Sequence, residues 1–139
     1  MPDFRRINDS LYVSPQVSVD DVADARANGI ALIINNRPDN EEAGQLSGEI
    51  IAEAARSAGM QYAAIPIGHD GFGPGSIAEM RQLLAEADGP VLAFCRSGTR
   101  STFLWALTEA DRGAPFDDTH KTAMDAGYDI SPLRSAFSR

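Results

Sequence analysis

Apolar residues fall along this chain in short unbroken runs, separated by longer segments with helical spacing. Ile30-Ala31-Leu32-Ile33-Ile34 and Val91-Leu92-Ala93-Phe94 are apolar at every position, as strands covered on both faces of a sheet should be. Gln61 to Ile67 reads as another strand, with Pro66 near its end. Phe4 to Ile7 and Leu11 to Ser14 flank Asn8-Asp9-Ser10, which predicts a hairpin ended by Pro15. Helices are expected between these runs. The first is capped by Ser18, carries Asp20 and Asp21 in its first turn, turns Val19, Val22 and Ala23 inward, and stops at Asn28-Gly29. The second spans Ser47 to Ser57, with Ile50, Ile51, Ala54 and Ala55 as its apolar side. The third starts at Ser76, where Glu79 completes a capping box, and its core face is Ile77, Met80, Leu83 and Leu84. Thr102 to Leu107 is apolar on nearly every face and predicts a buried helix ending near Gly113. A helix from Asp117 to about Gly127 and a short one from Ser131-Pro132 complete the chain.

Strands alternating with helices imply an α/β domain with a mostly parallel central sheet flanked by helices. The 139 residues fit one domain, 1–139, able to bury a core without a metal or disulfide staple. A net charge of −8 argues against a nucleic-acid partner. The single cysteine excludes an internal disulfide and zinc-type spacing, so no metal and no cofactor is expected. Met1 to Arg6 lacks the apolar core of a signal peptide and no stretch has membrane-span length, so a cytoplasmic location is expected, without membrane contact. The pattern carries no signal of oligomeric state.

Candidate chemistry concentrates where the Val91–Phe94 run meets the buried helix, in Cys95-Arg96-Ser97-Gly98-Thr99-Arg100-Ser101. A helix start presents unpaired N–H groups and the positive end of its peptide dipoles. A loop wrapped on that end can gather Arg96, Ser97, Gly98, Thr99 and Ser101 around one anion. Cys95 at its mouth should be partly thiolate near neutral pH, and Ser101 could donate its hydroxyl to the sulfur. Arg100 adds a planar fork suited to an oxyanion. The pattern is that of nucleophilic catalysis on an anionic substrate. A merely buried cysteine is the alternative, but strand, glycine turn, arginines and apolar helix coincide here.

Two other loops follow strands. Asn35-Asn36-Arg37-Pro38-Asp39 could bring Asn36 and Arg37 toward the cysteine loop or serve as an ordinary turn. Arg37, Arg96 and Arg100 together would make a positive spot on an acidic protein. Gly68-His69-Asp70-Gly71-Phe72-Gly73-Pro74-Gly75 holds four glycines and a proline, and also the acid/base candidates His69 and Asp70. A flexible solvated connection is the alternative for that loop.

These residues resemble a known family. The Cys95–Ser101 loop after Leu92-Ala93-Phe94 is similar to the loop of beta-lactamase-hydrolase-like, phosphatase-like domain proteins. Ile33 to Asp39 resembles that family's second motif, and Leu11 to Gln16 and Ala126 to Ile130 also fit. The resemblance covers nearly the whole chain. It implies the fold of small dual-specificity cysteine phosphatases, and members described either as phosphatases or as sulfur transferases.

Loop length separates those activities. In the cysteine phosphatases the resemblance points to, five residues part cysteine from arginine; here four part Cys95 from Arg100, as in rhodaneses. Phe94 also stands where classical phosphatases place a histidine. The expectation is therefore a sulfurtransferase that carries sulfane sulfur as a persulfide on Cys95. The alternative is a phosphoester hydrolase with Cys95 as nucleophile, Arg100 as phosphate clamp and Asp70 as general acid; a third is a non-catalytic module that binds an anion or a partner. The expected partner is a small anion: thiosulfate, a persulfide or a phosphoester.

Overall fold

The structure, a computed structural model, describes residues 3–137. Its strands are β1 (Arg5–Asn8), β2 (Leu11–Ser14), β3 (Leu32–Asn35), β4 (Gln61–Ala64) and β5 (Val91–Phe94). Its helices are α1 (Val19–Ala27), α2 (Gly48–Ser57), α3 (Pro74–Glu86), α4 (Thr99–Asp111) and α5 (Phe116–Asp125), followed by a 3₁₀ helix, Ser131–Phe137. The strands form one sheet in the order β1-β2-β5-β3-β4. Only β1 runs antiparallel to its neighbour; the other pairs are parallel. The expected α/β architecture is thus present as a mixed five-stranded sheet with helices on both faces.

Alternation along the strands explains the two-sided burial. Leu32, Ile34, Val91 and Ala93 pack with Met80, Leu104, Trp105 and Ala123, on the side of α3, α4 and α5. Ile33, Leu92 and Phe94 pack with Val22, Ala25, Ile51 and Ala55, on the side of α1 and α2. An unbroken apolar strand has no solvent face, and these strands have none.

Register sets the location of the site. Phe94 pairs with both Ser14 and Asn35, and Asn35 with Ala64. The C-terminal ends of four parallel strands therefore lie in one row. The loops that leave them meet at the edge where open α/β sheets gather ligands.

Three local expectations change. The capping box at Ser76 does not form: the cap of α3 lies three residues earlier, at Gly73, with Pro74 in the first turn. Proline's fixed φ suits that position and its missing N–H costs nothing there, so it fixes the start ahead of serine. In α2, Ile50 is 46% exposed and Ala52 is buried instead. In α1, Val19 and Ala23 face out, and Ala25 takes the inward place beside Val22. Ser18 caps α1 as expected, in a reciprocal box with Asp21. Among the described residues no helix is long and apolar enough to cross a membrane.

Candidate active site

Cys95 follows β5 directly, and α4 begins four residues later at Thr99. Cys95 is fully buried, and its sulfur accepts the Gly98 N–H at 3.1 Å. Gly98 sits at φ +92°, the left-handed region that glycine enters without strain. Space enforces the same choice, because a Cβ there would lie 2.1 Å from the Tyr128 hydroxyl.

Three successive loop carbonyls are held from outside the loop. Arg96 O accepts the Gln16 N–H at 3.3 Å, Ser97 O accepts the Tyr128 hydroxyl at 3.0 Å, and Gly98 O accepts the Thr102 N–H and hydroxyl at 3.0 and 2.8 Å. Because each peptide is planar and trans, a carbonyl tied outward turns the next N–H the other way. The Ser97 and Thr99 hydroxyls bond to each other at 3.0 Å at the helix start.

Ser101 lies elsewhere than expected. Its hydroxyl donates to Asn36 Oδ1 at 2.8 Å rather than to the sulfur, and Asn36 Nδ2 donates to Ile65 O at 3.0 Å. Both side chains are fully buried. They join the loops after β3 and β4 to the first turn of α4, which is a scaffold for the site.

Arg37 does approach the cysteine loop, through carboxylates. Its side chain is 2% exposed and donates to Glu41 Oε1 at 2.8 Å, Glu42 Oε1 at 2.9 Å and Gln16 Oε1 at 3.0 Å. Glu42 also faces Arg96 at 3.6 Å. Glu41 reaches across to Arg100, whose Nη1 and Nη2 donate to its two oxygens at 2.7 and 2.9 Å. Arg100 Nη1 also donates to Ile67 O at 2.8 Å. These bonds use three of the five guanidinium N–H groups. Left are Nε–H and the second Nη2–H, which share the side edge of the fork. The expected positive spot is therefore compensated: each arginine of the cluster has a carboxylate beside it. Glu41 and Glu42 carried no signal in the sequence beyond continuing a polar loop.

The bidentate bond from Arg100, with a further bond from Arg37, holds Glu41 down to about 2. Glu41 therefore stays ionised through the neutral range and cannot serve as a proton donor. Its folded value lies below the ordinary 4.5, so its stabilising contribution is present above about 4.5 and is lost as pH falls toward about 2. Glu41→Gln is accordingly expected to melt below wild type at neutral pH, with the gap closing across that acid window. Thermal unfolding at a series of pH values checks this; a gap that persists at the acid end would contradict it.

Beside the loop lies an open cleft of about 580 Å³, lined by Arg96, Arg100, Glu41, Asp39 and His69 among others. A hollow of about 330 Å³ around Trp105, Leu11 and Leu84 is smaller and lies away from the loop. Of the two acid/base candidates, His69 lines the cleft. Asp70 is exposed in the adjoining turn, which the Gly71 N–H closes onto Gly68 O at 3.0 Å.

A buried thiol on a helix-start loop, an arginine beside it and a cleft thus meet at the C-terminal edge of the sheet. Residues 3–112 match the family described as beta-lactamase hydrolase-like protein, phosphatase-like domain. The chain belongs to this family. A beta-lactamase hydrolase-like protein of Agrobacterium fabrum is 41% identical over 126 residues, which make up 90% of this chain and 29% of that protein. The chain thus spans less than a third of the length of that curated relative. A crystal structure of a candidate phosphatase from Neisseria meningitidis superposes with a TM-score of 0.87 at 32% identity, covering 99% of this chain and 97% of that one. A cysteine variant of P. aeruginosa TpbA in complex with phosphotyrosine shares the fold, with a TM-score of 0.63 at 17% identity and 99% and 91% coverage.

Proposed function

We propose that this domain hydrolyses phosphomonoesters through a phosphoenzyme on Cys95. One observation carries the reading: the Cys95 sulfur meets a loop N–H at 3.1 Å at the start of α4, in a chain of the phosphatase-like family. Cys95 thiolate attacks phosphorus; a sulfur–phosphorus bond forms and the bond to the alcohol oxygen breaks. The leaving oxygen takes a proton from Asp70, swung in on its glycine-rich turn. Water then attacks phosphorus and gives a proton back to the Asp70 carboxylate; the sulfur–phosphorus bond breaks, and phosphate leaves with the thiolate restored. Arg100 offers its side edge to the phosphoryl oxygens, and Arg96 draws the anion into the cleft. Cys95 is fully buried, and Arg96 and Arg100 line the cleft beside its loop. The bound phosphotyrosine of the distant TpbA variant supports the substrate class.

Family and solved relatives put phosphoester hydrolysis ahead of the sulfur transfer expected from loop length. Sulfur transfer stays as the second reading because four residues still separate Cys95 from Arg100, and the shorter ring has less room for phosphate. In that reaction Cys95 attacks the outer sulfur of thiosulfate, sulfite leaves, and a thiol or cyanide removes the sulfur from the persulfide.

Asp70→Asn separates the two. An acid that protonates an alkoxide contributes about a hundredfold or more, whereas sulfite needs no proton to leave. Hydrolysis of an alkyl phosphate is expected to fall by about that factor. Steady-state rates with the phosphate ester, and with thiosulfate plus cyanide, decide. A wild type that turns over only thiosulfate, untouched by Asp70→Asn, would replace the first reading by the second.

A further inference from the structure

We propose that Tyr128 is a positioning residue for the nucleophile: its hydroxyl fixes the one peptide whose N–H meets the Cys95 sulfur. The inference rests on the reading of Cys95 as the reactive thiol, and on the geometry of that single peptide.

The Ser97 carbonyl and the Gly98 N–H belong to the same planar unit and point in opposite directions. Tyr128 Oη donates to the carbonyl end at 3.0 Å, and the N–H end donates to Cys95 Sγ at 3.1 Å. Rotating this peptide would bring a carbonyl oxygen toward a negative sulfur, which is repulsive. The phenol prevents that rotation by engaging the outer end. The fit is mutual, since the hydroxyl fills the space that a side chain at Gly98 would need.

Tyr128 is itself held firmly. It is 6% exposed, its N–H donates to Ala123 O at 2.9 Å behind α5, and the Arg5 guanidinium lies 5.1 Å from its ring centre. It lies past residues 3–112, over which the family match runs, in the Ala126–Ile130 stretch that also resembles the family. The C-terminal segment therefore reaches back to tune a thiol at the heart of the family's loop.

The test is Tyr128→Phe, read as thiolate absorbance against pH. Each protein is measured against its own Cys95→Ser counterpart, which removes the tyrosine signal. That readout requires no reagent to reach the buried sulfur. A hydrogen bond to a charged group is worth enough to move the midpoint by about one pH unit, so a rise of that size is expected, with the far-UV spectrum unchanged. Replacement by 4-aminophenylalanine, which keeps a donor at the same place, is expected to restore the wild-type midpoint.

A lower melting temperature with an unmoved midpoint would overturn the role and leave Tyr128 as packing. So would a shift that the amino analogue does not reverse. A wild-type midpoint near the unperturbed value of about 8.5 is a different failure: it would overturn the proposed function, and this role with it.

Discussion

Cys95→Ser is expected to abolish turnover, by about four decades or more, the scale on which loss of a nucleophile acts in enzymes that work through one. The chain has no second cysteine to substitute for it. A serine hydroxyl at the same place is almost wholly protonated at neutral pH, and the Gly98 N–H cannot ionise it. The fold should survive, because the change removes no packed carbon atom from a site where the side chain already accepts a backbone hydrogen bond. Hydrolysis of an aryl phosphate, with melting temperature as the control, checks this. Retention of more than a small fraction of the rate would show that chemistry proceeds without the thiol.

Arg100→Lys should have the next largest effect. Two opposed duties fall on this side chain. Its end is engaged by Glu41 and by Ile67 O, and the edge left over, Nε–H with one Nη2–H, is the part proposed to meet substrate. A lysine has one ammonium group and cannot hold Glu41 at one end while offering a fork at another. In phosphoryl transfer that fork meets charge developing in the transition state, so kcat is expected to fall by about 10²–10³ with a smaller change in KM. In sulfur transfer the same bonds mainly hold the donor, so KM for thiosulfate would rise more than kcat falls. Steady-state kinetics of the variant with both substrates reads the difference. A variant that loses only KM on a phosphate ester would remove Arg100 from the transition state.

Much of the frame was legible in the chain because it depends on local pattern. Ile30–Ile34 and Val91–Phe94 have no polar position to expose, so both had to be central strands. With Cys95 set between such a strand and an apolar helix, the loop's place at the strand ends followed. Local competition set the errors at element starts: Ser76 has a capping residue's chemistry, but Pro74 is ahead of it and begins the helix.

What escaped the sequence is the set of contacts across long separations. Glu41 bonds to Arg100 over 59 positions, Asn36 to Ser101 over 65, and Tyr128 to Ser97 over 31. Nothing in a polar loop distinguishes a glutamate that faces water from one that clamps an arginine. The alignment of β3 and β5, which sets their loops side by side, brings the first two pairs together, and the turn that follows α5 brings Tyr128 to Ser97. Arg37 shows the same limit. The sequence left its loop open between approach to the site and an ordinary turn, and its bonds to Glu41 and Glu42 were not legible.

Capture of the covalent intermediate tests phosphoryl transfer through Cys95 most directly. Wild-type protein is mixed with an aryl phosphate, quenched within the first turnover, and analysed by intact mass and then by peptide mapping. One added phosphoryl group is expected, carried by the peptide that contains Cys95 and absent from Cys95→Ser. An unmodified Cys95 under these conditions, together with a single added sulfur on the same residue after thiosulfate, would contradict it.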